Sequence, residues 1–176
     1  MSIACEFEYA KPAGLKDALR LLARPSPGGA VPLAGGTDLV AWLRDGAVSP
    51  GFLVDIKGLP ELRGIRFKAG KLWLGANTTF AEIVESFLVR KHAPILLEAA
   101  GMVASVGVRN RATVGGNLCS AVPCCDSGPA LLVYGATLHV ATARGLKKVP
   151  ATKWFLGPRR TALAKGGIVV GISIPT

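Results

Sequence analysis

From Gly14 to Arg24 the apolar residues Leu15, Ala18, Leu19 and Leu22 recur at helical spacing, which predicts an amphipathic helix. Pro25-Ser26-Pro27-Gly28-Gly29 ends it. The apolar run Ala30 to Ala34 then enters a glycine pair, Gly35-Gly36, and leaves through Thr37-Asp38 into Leu39-Val40-Ala41-Trp42-Leu43-Arg44. That pattern predicts strand, tight turn and helix, with Thr37 as the helix cap. Phe52 to Ile56 reads as a short buried strand. Strands alternating with helices predict a small parallel α/β unit.

After Leu59-Pro60-Glu61-Leu62 the pattern changes. Gly64 to Phe67 and Leu72 to Leu74 flank Lys68-Ala69-Gly70-Lys71, a predicted hairpin. Ala76-Asn77-Thr78-Thr79 leads into a predicted helix capped by Thr78 or Thr79, with Phe80, Ile83, Val84 and Phe87 inward. Pro94 to Ala104 is a second, more apolar helix, and Pro94 suits its first turn. Ser105 to Asp126 reads as a loop rich in Gly, Arg and Asn. Ser127 to Tyr134 reads as a helix, Thr137 to Thr142 as an alternating strand, Ala151 to Phe155 as a helical turn, and Gly167 to Ile174 as a final strand. The change near residue 60 divides the chain into 1–60 and 61–176.

Composition narrows the class. With 176 residues, half of them hydrophobic, the chain is one large domain or two small ones with a proper core. No apolar run approaches the ~20 residues of a membrane span. The N-terminal stretch Met1 to Phe7 has no leader pattern, so a cytoplasmic location is expected. The net charge of +10 is scattered, and the aromatic fraction of 6% is too thin for a base-stacking platform, so no nucleic-acid partner is expected. Solubility and attraction to an acidic or phosphate-bearing partner fit better.

Gly35-Gly36 before a helix start is a candidate anion cradle, and equally an ordinary glycine turn. A second pair, Gly115-Gly116, follows the same recipe, with Arg109 and Arg111 beside it. Two such loops with guanidinium help could hold two linked phosphates. Asp38 is badly placed for that, so its side chain is expected to point away or to bind a hydroxyl. Asp126 could take a sugar hydroxyl or cap the next helix. Cys119, Cys124 and Cys125 lack the spacing and the fourth ligand of a zinc or cluster site, so no metal is expected. His139 reads as a strand residue. There is no G-x-S-x-G elbow, no P-loop Lys and no G-x-G-x-x-G, so no catalytic residue is assigned.

Together these residues resemble a known family. Leu33-Ala34-Gly35-Gly36-Thr37-Asp38-Leu39 and Thr113-Val114-Gly115-Gly116-Asn117-Leu118 look like the two FAD-diphosphate loops of the medium, flavin-carrying subunit of molybdenum hydroxylases. That is the xanthine dehydrogenase and carbon monoxide dehydrogenase family. The likeness continues through Ser120-Ala121-Val122-Pro123, Asp126, Phe155 to Leu163 and the last strand.

The resemblance implies an α+β fold of the FAD-binding type shared with p-cresol methylhydroxylase and vanillyl-alcohol oxidase. In it a small parallel subdomain precedes a larger one. It implies FAD as cofactor, with Leu33 to Leu39 and Thr113 to Asn117 at the diphosphate and Asp126 at the ribityl or ribose hydroxyls. Val103 and Val169 would contact the flavin, and Ile56 would lie near the adenine. The implied partners are a molybdopterin-binding large subunit and a [2Fe-2S] small subunit, with NAD, a quinone or another acceptor. The family also has a C-terminal domain beyond the end of this chain. A stand-alone flavin oxidase or dehydrogenase, and a non-catalytic assembly module with an empty flavin site, are the alternatives.

Overall fold

The computed structural model describes residue 3 and residues 5–176. Met1, Ser2 and Ala4, part of the stretch read for a leader, lie outside the described residues.

The first elements alternate as expected: β1 (Glu8–Ala10), α1 (Leu15–Leu22), β2 (Ala30–Leu33), α2 (Leu39–Arg44) and β3 (Phe52–Asp55). β3 is the middle strand, parallel to both β1 and β2. All its residues are buried, which is why Phe52, Leu53 and Val54 form an apolar run rather than an alternation before the buried Asp55. The stripe Ala18 and Leu22 of α1 packs into the same core as Phe52 and Val54. Gly14 offers α1 no side-chain cap, and the orphan N–H of Leu15 instead donates to Glu61 Oε1 at 3.0 Å. At the end of β3, buried Asp55 accepts from Tyr9 Oη at 2.5 Å and from the Lys57 N–H at 2.9 Å, and its other partner is Lys57 Nζ at 2.8 Å. Burial alone would raise this carboxyl, but the hydrogen bonds from Lys57 and Tyr9 outweigh it and hold it below its ordinary value.

The larger part begins with the expected hairpin, β4 (Ile65–Lys68) and β5 (Lys71–Gly75). Its turn residues Ala69 and Gly70 both have positive φ, 50° and 68°, the twist that two-residue hairpins favour. Six helices follow: α3 (Phe80–Glu85), α4 (Phe87–His92), α5 (Pro94–Met102), α6 (Val106–Arg109), α7 (Val114–Ser120) and α8 (Ser127–Val133). The chain closes with β6 (Thr137–Thr142), β7 (Gly145–Pro150), β8 (Phe155–Gly157), β9 (Arg160–Thr161) and β10 (Ile168–Pro175). These build a five-stranded antiparallel sheet in the order β4-β5-β10-β6-β7 and a small β8–β9 ribbon. The fold is α+β.

One face of the large sheet, with Leu72, Leu74, Leu138, Val140 and Ile172, packs on Phe80, Ile83, Leu96, Leu118 and Leu131 of the helices. Trp154 is fully buried there, its indole N–H donating to Leu118 O at 2.8 Å. Ala141, Ile168 and Val170 face the other way and join the core of the parallel unit with Ile56, Leu59 and Leu62.

The structure departs from the pattern reading in four places. Thr79 closes a capping box with Glu82, but the helix stops at Glu85, because Ser86 (φ −75°, ψ 119°) leaves helical geometry and caps α4. Phe87 is therefore turned outward, 72% exposed, and Val89 takes the core position. The stretch 105–126 holds two helices, capped by the Ser105 and Thr113 side chains. Their glycines and arginines hid the short apolar runs. Edge strand β7, with Lys147-Lys148, and the β8–β9 ribbon were too polar or too short to register.

Candidate functional site

A cavity of about 740 Å³ opens between the parallel unit and the helices of the larger part. Ala34, Gly35, Gly36, Thr37, Asp38, Leu39, Ile56, Val103, Thr113, Gly115, Gly116, Asn117, Asp126 and Val169 all line it. Leu33 and Val114 do not. Leu33 ends β2 and packs beside Gly36, and Val114 is fully buried in the main core.

The first glycine loop is a row of donors. The carbonyl of Leu33 is taken by the Ile56 N–H at 3.0 Å, and Gly36 turns the chain at φ +81°. α2 then begins with Asp38, not Thr37, at the cap position, and no side chain caps it. Asp38 already has helical φ and ψ (−90°, −49°), so the turn starts one residue later than the Thr37 reading required. Among the described residues, the N–H groups of Ala34, Gly35, Gly36, Thr37, Asp38 and Leu39 find no acceptor. An unbroken run of unpaired amides against a cavity requires an acceptor from outside the chain.

The second loop is different. Val114 N–H donates to Thr78 O at 3.0 Å, Gly115 to Ala76 O at 2.9 Å, and Asn117 to Thr113 O at 2.9 Å. Gly116 N–H donates to Thr113 Oγ1 at 3.1 Å. The amides from Val114 to Asn117 are thus spent inside the protein, so the two loops are not equal backbone cradles. A Cβ on Gly115 would stand 2.7 Å from both Cβ and O of Ala76, so this glycine serves close packing. Gly35 does likewise on its other side, where a Cβ would meet Arg111 O at 2.0 Å. The loops touch backbone to backbone. Arg109 is also committed: its Nη1 donates to Val103 O at 2.8 Å and Ala104 O at 3.0 Å. It braces the end of α5, where Ala104 takes φ 38°, and does not face the glycines as the reading supposed.

Side chains supply what the second loop's backbone withholds. Asn117 Oδ1 accepts from Ser127 Oγ at 2.6 Å and from Cys125 Sγ at 3.2 Å. Asp126 is exposed at the cavity rim and does not cap α8, because the preceding turn already supplies a helical entry through Gly128 N–H to Cys125 O at 3.1 Å. Burial, with Cys125 nearby, pushes the Cys119 thiol up to about 12, so it stays protonated. All cysteines are free, and among the described residues no three His, Cys, Asp or Glu side chains group as a metal site.

Of the lining residues that the sequence did not assign to the site, Asn77 and Trp42 have the most telling partners. Buried Asn77 donates Nδ2 to Ile56 O at 2.6 Å and its N–H to Leu62 O at 2.8 Å, tying the parallel unit to β5. Its signal was a polar run directly after a strand. Trp42 lines the cavity with the Arg159 guanidinium 5.1 Å from its ring centroid. No sequence spacing connects residues so far apart. Among the described residues no helix is long and apolar enough to cross a membrane.

The chain matches, over residues 5–176, a family model described as the FAD binding domain in molybdopterin dehydrogenase. It belongs to that family. The xanthine dehydrogenase FAD-binding subunit of Escherichia coli O157:H7 is 37% identical over 168 residues, 95% of this chain and 57% of that protein. The carbon monoxide dehydrogenase medium chain of Hydrogenophaga pseudoflava is 33% identical over 169 residues, 96% of this chain and 58% of that one. A solved structure of carbon monoxide dehydrogenase from Hydrogenophaga pseudoflava, lacking the Mo-pyranopterin moiety, superposes with a TM-score of 0.96 at 33% identity, covering 99% of this chain and 61% of that one. This FAD-binding domain therefore spans under two thirds of these relatives' lengths.

Proposed function

We propose that this chain is the FAD-holding, electron-transferring part of a molybdenum hydroxylase of the xanthine dehydrogenase type. The observation that carries the reading is the row of unpaired amides from Ala34 to Leu39 facing a cavity of about 740 Å³, within the range of cofactor sites. A diphosphate matches that row in charge and in its need for several donors. When bound, FAD supplies the redox chemistry. The chain's own residues bind, orient and shield it.

In this reading the amides of Ala34 to Leu39 hold phosphate oxygens, and Thr113 and Asn117 add side-chain contacts. Asp126, free at the rim, accepts from a ribityl or ribose hydroxyl. Ile56 bounds the adenine, and Val103 and Val169 bound the flavin and keep water from it. Leu33 and Val114 support these residues from behind. This role would call for a [2Fe-2S] subunit and a molybdopterin-binding large subunit as partners, with NAD, a quinone or another acceptor. The division at residue 60 marks the two sides between which FAD lies. A location in the cytoplasm agrees with this role.

The test is titration of the purified protein with FAD and with FMN, followed by flavin fluorescence and absorbance. Saturable FAD binding with much weaker FMN binding is expected, because FMN lacks the diphosphate bridge. No binding at saturating FAD would overturn the proposal in favour of an assembly module with an empty site.

A further inference from the structure

We infer that Ser127 and Cys125 are positioning residues that lock the Asn117 side-chain amide, so that Nδ2–H faces the cavity as a hydrogen-bond donor to an oxygen of the bound dinucleotide. This rests on the FAD reading above.

Ser127 is fully buried, and among the described residues Asn117 Oδ1, at 2.6 Å, is the acceptor for its hydroxyl. Cys125 Sγ lies 3.2 Å from the same oxygen and 3.5 Å from Asn117 O. Burial raises the Cys125 thiol, which keeps it an S–H donor at neutral pH. The buried hydroxyl donor at 2.6 Å assigns the shared Asn117 atom as the amide oxygen. The flipped amide would leave the buried hydroxyl hydrogen only the weakly accepting Cys125 sulfur in place of an amide oxygen. Nδ2 is the end left over, and it has no protein partner among the described residues.

The backbone removes the remaining freedom. Asn117 N–H donates to Thr113 O at 2.9 Å, and Asn117 O accepts from Ser120 Oγ at 3.1 Å. An amide fixed in this way needs no reordering when the ligand arrives. The device also compensates for the second loop's spent amides: one aimed side-chain donor stands where a run of backbone donors does not. The ligand atom it meets is an acceptor, so the site discriminates against a donor there.

A mutant cycle read as FAD affinity separates a positioning role from a merely structural one. Ser127→Ala and Asn117→Ala should each raise the FAD Kd by about tenfold. The double variant should be no weaker than Asn117→Ala alone, since Ser127 acts through Asn117. Ser127→Cys, which keeps a donor, should recover most of the loss, and Cys125→Ala should raise the Kd less than Ser127→Ala. A Ser127→Ala protein with unchanged affinity, or a double variant showing additive losses, would overturn the inference. Should Ser127→Ala not fold, Cys125→Ala against the Asn117→Ala background decides by the same rule. A second readout needs no FAD. The Asn117 side-chain amide should give one well-dispersed pair of proton–nitrogen NMR signals in the wild type, and these should collapse toward averaged values in Ser127→Ala. A wild type that binds no FAD but shows that collapse defeats the parent reading and keeps the lock. An unmoved pair defeats the lock whatever FAD does.

Discussion

Gly35-Gly36 and Gly115-Gly116 look like copies of one device, and the structure gives them different jobs. The first pair leaves a run of amides from Ala34 to Leu39 without acceptors. The second has each of its amides from Val114 to Asn117 already bonded, to Ala76, Thr78 or Thr113. The first pair's turn is made at φ +81°, and the second lies inside a helix. Gly36 of the first loop turns the chain beside the cavity, while Gly35 serves a close contact with the Arg111 backbone. A glycine in the second lets α7 pack against the exit of β5. Motif likeness alone does not tell which backbone groups remain free; hydrogen-bond accounting does.

Substitutions should pull the two apart. Of Gly115, Gly36 and Gly116, the largest effect is expected at Gly115. Valine there puts Cβ at 2.7 Å from the Ala76 backbone in a buried contact, and should cost about 3 kcal/mol or more, read as a collapse of the urea midpoint. Gly36→Val should cost less, about 1–2 kcal/mol for a side chain in left-handed backbone, yet abolish FAD binding while the chain stays folded. A folded Gly36→Val protein that retains FAD would break the comparison. Gly116→Val and Thr113→Val both attack the α7 cap, where a Cβ at 116 would lie 2.9 Å from Thr113 Oγ1. Each should lower stability by about 1 kcal/mol and weaken FAD without abolishing it.

The smallest effect is a pH dependence beneath the first loop, where Leu33 pairs with Asp55 across β2 and β3. The folded Asp55 carboxyl titrates below its ordinary 3.8, so its contribution is present above that value and is lost as pH falls through the folded value. Asp55→Asn lacks that contribution at every pH. Its stability curve should fall less steeply than the wild type's below pH 3.8, as followed by thermal melts.

The elements best read from sequence were those whose burial is local. The run in β3, the stripe of α1 and the β4–β5 turn each state their environment within a few residues. The same holds for Gly35 and Gly36 as a turn between strand and helix. What escaped was settled at long range. Phe87 follows the inner-face spacing of α3, but Ser86 restarts the helix and changes the phase. Asp126 has the sequence of a cap, yet Cys125 already turns the chain and frees its carboxylate. Arg109 sits next to a glycine loop in sequence and spends its guanidinium on the end of α5. Asn77 and Trp42 reach the cavity through partners, Ile56 and Arg159, that no periodicity connects to them.

β10 has a consequence for how the molecule is made. Ile168 and Val170 close the core around Ile56, Leu59 and Leu62, while Val169 and Ile172 close the other. During synthesis the apolar side of Ile56, Leu59 and Leu62 has no cover from Ile168 and Val170 until β10 is made. Closure of the N-terminal core thus waits on residues more than a hundred positions later, which sets a long contact order and a slow final step. Until that step the nascent chain exposes surface that a chaperone would have reason to hold.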